Sequence, residues 1–530
     1  MLAYRSNCVL SKSPTKFPTK LATKLIPKLM PKFIQLSLAF GVGFATLPQL
    51  SHAQNLPTLG DSVRQDLTPM MERKIGEQIM HGIRRDPDYI DDGPISEYLN
   101  KLGSVLLEKT PSARGEAKFD YEFFAVRDPV LNAFALPGGF IGFHTGLILS
   151  AQTESELASV MGHEIGHVSQ RHIARMLSSQ KQDSLIPLAA LLLAVLAARS
   201  SPDAAMAMVV GGQGLAVSRQ LSFSRDAERE ADRIGFQILK EGGYDTTGML
   251  AFFGRLQHAS RNYTDNGMSY LSSHPVTSDR MADIQGRLQG ERYKQRLDGL
   301  EFFLIQARAR ILQDSKEQGL IDASNWFDNQ IKTGSEPMRL SARYGLAMVA
   351  MKRKKFQEAE LQLKRLVDEI RANPKQKNYL EQTSAFVYLQ AEIQIEDKRA
   401  AQAVQTIKAA MEVLPTSRSL VYFYPKALIE AKQLSEAEAF LRDQISLYRS
   451  DAKLHHLLAQ TYAEAGQKAL QHLSLAEAYA LEGALPAAIA QLEIARTDKN
   501  VKHYELSVID AREREWKEKH KQELLDEKKR

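Results

Sequence analysis

The sequence predicts two folded regions: an α+β domain that is mostly helical, and an all-α region that follows it. A chain of 530 residues is too long for one compact core, so two or three domains are expected. The composition also changes near residue 300. Strand-like segments occur before that point, and alanine- and leucine-rich helical patterns run from there to the end. The apolar share of 44% and charged share of 25% are those of a globular protein.

The first 53 residues predict a signal peptide. Seven basic residues and no acid precede or flank the apolar run "FIQLSLAFGVGFATL" (33–47), which is shorter than the ~20 residues that span a bilayer. Ser51 and Ala53 supply the small residues that a signal peptidase needs, so cleavage after Ala53 and export to the periplasm of a Gram-negative bacterium are expected. A retained anchor is the alternative, and Met1 and Met30 are both candidate starts.

The charge distribution argues against nucleic-acid binding, and the position of the single cysteine argues against disulfides and thiolate metal ligands in the exported chain. The net charge is +6, but seven positive charges lie in the first 53 residues, so the rest of the chain is close to neutral and no nucleic-acid partner is expected. The only cysteine, Cys8, also lies in that segment. The exported chain therefore forms no disulfide, and any metal it binds must use nitrogen and oxygen ligands.

Two segments predict the strands of the first region. "DYEFFAV" (120–126) is aromatic and apolar enough for a buried strand, and "NAFALPGGFIGFHTG" (132–146) predicts two short strands about the turn Pro137-Gly138-Gly139.

The second region contains a degenerate repeat. Four helix-start segments align on Ala359, Ala403, Ala437 and Ala488. Twelve residues before three of these alanines stand Ala347, Ala391 and Ala476, and Pro415 follows Ala403 by twelve. Small residues at these offsets let two antiparallel helices approach closely. The pattern resembles the tetratricopeptide repeat, whose arrays bind polypeptide, and a generic helical bundle is the alternative.

The stretch "MGHEIGHVSQRH" contains an H-E-x-x-H pattern, "HEIGH", at residues 163–167. On a helix, His163 and His167 lie on one face and can reach one ion at about 2.0–2.1 Å. Glu164 points to one side, where it suits the removal of a proton from an attacking water. Thr153 and Glu156 form a capping pattern that predicts the start of this helix. Chance is the alternative, because roughly a few per cent of chains this long would contain the five-residue pattern.

A third ligand is predicted downstream, in "SRDAEREADRIGFQIL". Glu228 and Asp232 lie four residues apart on one helix face, which suits a metal ligand beside a residue that orients a ligand histidine. The alternative is a solvated face on which these acids pair with Arg225, Arg229 and Arg233.

Together, "HEIGH" and "EREAD" resemble the signature of the gluzincin metallopeptidases that include the CAAX prenyl endopeptidases and HtpX-type proteases. "NAFALPGGFIGFHTGLI" is similar to the edge-strand segment of that family, and "GHEIGHVSQRH" to its active-site helix. The order of signal peptide, catalytic domain and repeats is most similar to that of a periplasmic branch of this family, whose members act in outer-membrane β-barrel assembly. The resemblance is strong over 71–289 and loose beyond. It implies an α+β zincin-type metalloprotease domain followed by a tetratricopeptide-repeat-like solenoid.

The resemblance also implies the site. One Zn2+ per chain would be bound by His163, His167 and Glu228, with Glu164 as the general base. Glu230 competes for the place of Glu228, which is preferred because it keeps the four-residue spacing to Asp232.

Further residues take expected roles from the same resemblance. His274 in "SSHPVTSDR" is a candidate fourth ligand that caps the zinc and must leave for activity, with a plain turn residue as the alternative. His172 is expected to support the site rather than bind metal, and His144 to be a strand residue. The segment that would bind substrate as an added strand comprises Asn132, Ala133, Phe134 and Ala135.

"LIPLAALLLAVLAA" (185–198) is fourteen apolar residues between the two zinc motifs, too short to span a bilayer at ~20 residues. It predicts a buried helical hairpin, or one leaning on a membrane surface, and is a candidate lid.

These observations predict a periplasmic zinc metalloendopeptidase that cuts misfolded or stalled chains during outer-membrane protein assembly. The expected divisions are a signal peptide (1–53), a protease domain (54–295), a repeat domain (296–500) that docks substrate or the β-barrel assembly machinery, and a charged, solvated C-terminal helix (501–530). A repeat-based chaperone or adaptor with a structural or capped zinc site is the alternative. A membrane-embedded protease is disfavoured, because no apolar segment has the full length of a span.

Overall fold

Three strands of the first region pair in the order β1-β3-β2 within the part of the chain that a computed structural model describes, namely residues 67–178, 223–262, 269–291, 296–374, 376 and 378–528. The predicted signal peptide with its cleavage site after Ala53, and the apolar segment 185–198, lie outside these residues. Among the helices that are described, none combines the length and the apolar character needed to cross a membrane.

The sheet has one parallel and one antiparallel pairing. Strand β1 is Glu122–Val126, β2 is Ala133–Leu136 and β3 is Phe140–His144. β3 is parallel to β1 and antiparallel to β2. The turn between β2 and β3 places Gly138 and Gly139 at φ +81° and +99°, which glycine adopts without a steric penalty. The predicted hairpin is therefore confirmed, and β2 is an edge strand of this sheet.

Helices surround the sheet. Those described in the first region are α1 (Pro69–Ile83), α2 (Gly93–Lys109), α3 (Thr145–Ser150), α4 (Glu154–Ser169), α5 (His172–Ser178), α6 (Arg225–Glu241), α7 (Thr247–Asn262), α8 (Ser269–Ser273) and α9 (Ser278–Leu288). The starts of α1, α2, α4, α6 and α9 are each capped by a polar side chain that accepts a backbone N–H, namely Thr68, Asp92, Thr153, Ser224 and Thr277.

Helix α4, which carries HEIGH, lies at the centre of this region. Every one of its residues is buried, because α2, α6, α7 and β2 all pack against it. Its predicted start at Thr153 is confirmed, and the Glu156 carboxylate accepts the N–H of Gln152 at 2.6 Å. A helix buried on every side is held rigidly by the elements packed around it.

The second region is entirely helical over its described residues. Its helices are α10 (Leu300–Gln313), α11 (Glu317–Thr333), α12 (Glu336–Lys352), α13 (Phe356–Ala372), α14 (Tyr379–Gln382), α15 (Ala385–Glu396), α16 (Ala400–Val413), α17 (Arg418–Glu430), α18 (Leu434–Leu447), α19 (Ala452–Glu464), α20 (Lys468–Leu481), α21 (Leu485–Arg496) and α22 (His503–Lys528).

The predicted repeat is confirmed by the positions of its alanines. The four reference alanines are the fourth residues of α13, α16, α18 and α21, and each is completely buried. The three partner alanines are also completely buried, in α12, α15 and α20. Five residues before each reference alanine the chain turns through a left-handed conformation, at Lys354, Lys398, Lys432 and Gly483. These common turns distinguish stacked helix pairs from an irregular bundle.

The charged C-terminal helix is only partly solvated, which differs from the prediction. Trp516 is 5% exposed and Ile509 is completely buried against the apolar cluster of the last repeat. This helix therefore covers the apolar face of the preceding helix pair, as capping helices of repeat arrays do.

A buried arginine joins the two regions. Arg308 in α10 has no exposed surface, and its guanidinium donates to Asp92 at the start of α2 and to Glu392 in α15. The same guanidinium donates to the hydroxyl of Tyr344 at 2.8 Å. Helix α10 also contributes apolar side chains to both the first and the second core. The repeats are thus attached to the domain that holds HEIGH through buried charge as well as apolar contact.

Candidate metal centre

Small residues allow helices α4 and α6 to approach closely. A side chain at Gly235 on α6 would come within 3.0 Å of the main chain of His163, and one at Gly166 on α4 would meet the main chain of Ala231 at 3.0 Å. Glycine at both positions therefore lets the two backbones touch, so that a side chain on α6 reaches the histidines on α4.

Four side chains converge where the helices meet. One nitrogen or oxygen from each of His163, His167, Glu228 and His274 lies within 4.8 Å of the other three. His163 Nε2 is 3.0 Å from His167 Nε2 and 3.3 Å from His274 Nδ1. Glu228 Oε1 is 2.9 Å from His274 Nδ1 and 3.4 Å from His167 Nε2. All four side chains are buried.

These distances fit a metal ion better than a hydrogen-bond network. Ligand atoms about 2.0–2.1 Å from a tetrahedral ion lie about 3.3 Å apart, close to the spacings above. Two facing imidazole nitrogens, such as the Nε2 atoms of His163 and His167, share one proton at most. Burial lowers the pKa of His167 well below its usual value, which keeps that ring neutral and its lone pair free for a metal. Three imidazoles and a carboxylate are the donor types expected in a chain whose only cysteine is Cys8.

Glu228 and Glu230 occupy different environments. Burial disfavours ionisation of Glu228, but the neighbouring histidines lower its pKa overall, so it faces the group as a carboxylate. Glu230 is half-buried, and its carboxylate contacts His172 at 3.0 Å and Arg175 at 2.8 Å. His172 Nδ1 in turn lies 2.9 Å from His167 Nδ1, on the opposite side of the His167 ring from the convergence point.

Asp232 lies behind His163. Its Oδ1 is 2.9 Å from His163 Nδ1, the ring nitrogen that faces away from the four-residue group. Burial raises the pKa of Asp232, whereas Arg280 and His163 lower it, and the net shift is downward. An ionised carboxylate at this nitrogen holds the ring orientation that presents Nε2 to the group.

Arg280 is a residue of the site that the sequence analysis missed. Its guanidinium makes two bonds to Asp232, at 2.6 and 2.7 Å, and lies 2.6 Å from Glu228 Oε2. It also donates to the carbonyl of Pro275, immediately after His274. The alternative pairing with arginines on α6 is wrong for these two acids. The only signal in the sequence was that two buried carboxylates need a cation, which did not indicate which arginine supplies it.

We expect Arg280→Met to weaken metal binding by about 10–100-fold and to lower the free energy of unfolding by about 3–5 kcal/mol, because two buried carboxylates lose their counter-charge. Chelator competition and denaturant unfolding measure the two effects. Arg287→Met on the same helix is the control, since Arg287 pairs with the half-exposed Asp283 and with no other acid among the described residues. Equal metal affinity in the two variants would contradict the role of Arg280.

Glu164 lies beside the group and next to the edge strand. It is completely buried, and no side chain among the described residues donates a hydrogen bond to either carboxylate oxygen. Burial raises its pKa, while His274, His163 and the main-chain N–H of Ala135 oppose the shift. His274 Nε2 is 3.7 Å from Glu164 Oε1, so the candidate cap stands between the carboxylate and the convergence point.

The predicted substrate segment runs past this carboxylate. Asn132 and Ala133 are buried, and Phe134 and Ala135 are half-buried on β2. The side-chain carbonyl of Asn132 has no hydrogen-bond partner within the described part of the chain. His144 ends β3 as a buried strand residue, 3.3 Å from Asp128.

Comparisons with known proteins agree with this geometry. Residues 97–288 match peptidase family M48, and residues 394–461 match the tetratricopeptide repeat. The chain is 31% identical over 462 residues to the beta-barrel assembly-enhancing protease of Escherichia coli, covering 87% of this chain and 91% of that protein. The protein of that name from Yersinia pestis is 28% identical over 457 residues, or 86% and 90% of the two chains. A mitochondrial metalloendopeptidase of Arabidopsis thaliana is 29% identical over 233 residues, 44% of each chain.

The family match covers the strands, helices α4 and α6 and His274, and the coverage of the bacterial relatives extends into the repeats. A family of metal-dependent peptidases accounts for the buried histidine and glutamate cluster, and the repeats provide a surface for protein interaction. The chain therefore belongs to peptidase family M48 and is a metalloendopeptidase that uses a divalent metal ion to cut polypeptides.

Proposed function

We propose that the chain binds one Zn2+ through His163, His167 and Glu228 and hydrolyses peptide bonds with Glu164 as the general base. The convergence of these side chains in a buried group is the observation that carries the proposal. Nitrogen and carboxylate ligands at near-tetrahedral spacing suit zinc.

Different residues of the chain would transfer the proton and hold the metal ligands in place. A bound Zn2+ would polarise the scissile carbonyl and lower the pKa of water. Glu164 would take the proton of the attacking water and pass it to the leaving amine. Burial raises the pKa of Glu164 toward the pH at which a general base works best. Asp232 and Arg280 would hold His163 and Glu228 in place throughout.

Substrate would bind as an extra strand on β2. The segment Asn132–Ala135 lies at an edge of the sheet, and the Ala135 N–H lies close to Glu164. An added strand gains affinity from main-chain hydrogen bonds and requires little sequence preference. This mode suits a protease that removes misfolded or stalled chains, whose exposed segments are extended and varied.

The relatives and the predicted signal peptide support a proposal for the cellular role. We propose a periplasmic protease that serves the assembly of outer-membrane β-barrel proteins, as the name of the bacterial relatives says of them. The protease domain would span 54–295, the repeat domain 296–500 would dock substrate or the assembly machinery, and 501–530 would close the array. Peripheral membrane contact through 185–198 remains part of this proposal.

Glu228→Gln and Glu230→Gln form a matched pair that tests the ligand set. We expect Glu228→Gln to lose bound zinc and casein cleavage, because a neutral amide is a poor zinc ligand. Glu230→Gln should keep both, since among the described residues its carboxylate pairs with His172 and Arg175 and not with the four-residue group. Zinc content and casein cleavage are measured on the purified chain without its first 53 residues. A zinc-free but folded wild type, or full zinc in Glu228→Gln, would overturn the assignment.

The fourth member of the group favours a second candidate function. His274 supplies a fourth donor, and a closed four-ligand site is typical of structural zinc. The chain could then act as a repeat-based chaperone or adaptor whose zinc is structural or permanently capped. Under the protease proposal, His274→Ala opens the fourth position and cleaves casein faster than wild type. Zinc-loaded wild type and His274→Ala that both fail to cleave would instead favour the adaptor.

A further inference from the structure

Tyr270 packs directly on the candidate cap. Its ring lies 4.6 Å from the His274 ring at an interplanar angle of 27°, which is a stacked arrangement. The N–H of His274 also donates to the carbonyl of Tyr270 at 2.7 Å, one helical turn back along α8. Ring and main chain of Tyr270 together hold His274 toward the other three members of the group.

The hydroxyl of Tyr270 is buried in an environment that is energetically unfavourable for a hydrogen-bond donor. Tyr270 is 1% exposed, and its oxygen has no hydrogen-bond partner among the residues that the structure describes. A tyrosine hydroxyl carries its proton at neutral pH. A buried donor without an acceptor destabilises the arrangement that contains it.

The same residue is tied to the substrate segment. The Tyr270 N–H lies 3.3 Å from the carbonyl of Leu131, the residue before Asn132. A polypeptide that pairs with β2 would thus pull on main chain that is hydrogen-bonded to α8. The stack, the unpaired hydroxyl and this bond all lie at the base of the cap.

We propose that Tyr270 is the positioning residue of the His274 cap: its ring holds the imidazole in the fourth position, and its unpaired hydroxyl favours departure from it. In the capped state the stack is made and the hydroxyl has no partner among the described residues. When α8 shifts, the stack is lost and the hydroxyl gains water or a carboxylate as a partner. The two effects oppose each other, so neither state is strongly preferred. This inference rests on the proposed zinc site and cap.

Two substitutions should act in opposite directions. Tyr270→Phe keeps the ring and removes the unpaired hydroxyl, so the cap should hold longer, with zinc transfer to a chelator and casein cleavage both about tenfold slower. Tyr270→Leu removes the stack, so both rates should rise by about three- to tenfold. Chelator transfer is followed by absorbance and does not depend on catalysis.

The His274→Ala background shows whether Tyr270 acts through the cap. With no imidazole to hold, Tyr270→Phe should leave the zinc-transfer rate of His274→Ala unchanged. Tyr121→Phe is the matched control, because the Tyr121 hydroxyl also lacks a partner in the described residues but its ring stacks on Phe123. It should transfer zinc at the wild-type rate. If Tyr270→Leu does not fold, the zinc-transfer rates of Tyr270→Phe, measured with His274 present and in the His274→Ala background, suffice to test the inference.

The outcomes separate this inference from the proposed function. Zinc-loaded wild type together with Tyr270→Phe that releases zinc at the wild-type rate or faster would overturn the role of Tyr270 alone. An equal effect of Tyr270→Phe with and without His274 would do the same, since it indicates a general packing change. Folded wild type without zinc would overturn both proposals.

Discussion

Glu164→Gln is expected to lower the rate of casein cleavage by about 10²–10⁴-fold while leaving the zinc content unchanged. Glutamine has nearly the same shape as glutamate but does not accept the proton of the attacking water. Within the described residues no side chain donates to the carboxylate, and the side-chain carbonyl of glutamine can also accept from the nearby Ala135 N–H, so the substitution breaks no structural contact. The loss should therefore appear in kcat, with the unfolding transition of the zinc-loaded chain unmoved.

The cleavage rates are best compared both with His274 present and in the His274→Ala background. Initial rates are compared for wild type and Glu164→Gln, and again with His274→Ala in both, so that a capped site does not conceal the loss. Glu230→Gln serves as the control, because its carboxylate lies near the site but outside the four-residue group. Cleavage by Glu164→Gln within tenfold of its parent in both backgrounds would contradict a general-base role.

Arg308→Met should lower the free energy of unfolding by about 3–5 kcal/mol, as large a stability effect as that expected for Arg280→Met. The guanidinium is the only charged donor that the described structure provides to Asp92, and it also pairs with Glu392. Burial raises the pKa of Glu392, with Arg308 opposing the shift, so removal of the cation leaves an unfavourable buried charge. Denaturant unfolding followed by circular dichroism measures the change.

Two further variants identify the cause. Arg310→Met on the same helix removes a cation that stacks on Trp326, and should cost only about 0.5–2 kcal/mol. Adding Glu392→Gln to Arg308→Met should recover part of the loss, because one of the two unpaired carboxylates is then neutral. A cost for Arg308→Met no larger than that of Arg310→Met would show that the junction depends on apolar packing instead.

The two regions and their elements were largely determined by local sequence. The edge hairpin follows from Pro137-Gly138-Gly139, whose glycines adopt positive φ, and the active helix from the capping pattern at Thr153. The repeats follow from alanines spaced so that paired helices touch. Glycine conformations, helix caps and small-residue spacing act over a few residues, so they can be recognised without knowing the fold.

The candidate site was only partly predictable. The spacing within HEIGH predicts that His163 and His167 share a face, and Glu228 and Asp232 share one for the same reason. That these two faces meet depends on Gly166 and Gly235, which let α4 and α6 touch. His274 could be suggested only by resemblance, because it follows Glu228 by 46 residues and sequence spacing does not show which loops fold over a site.

Tertiary structure alone decided how the buried charges pair. Arg280 rather than an arginine on α6 neutralises Glu228 and Asp232, and Arg308 joins Asp92 to Glu392 across the two regions. It also decided that Trp516 is buried in a helix whose sequence reads as solvated, and that Tyr270 stacks on His274. The sequence by itself determined which helices and strands form, because helix caps, turns and periodicity are local. Charge neutralisation and aromatic stacking act between residues that are distant in the chain, and only the folded molecule selects their partners.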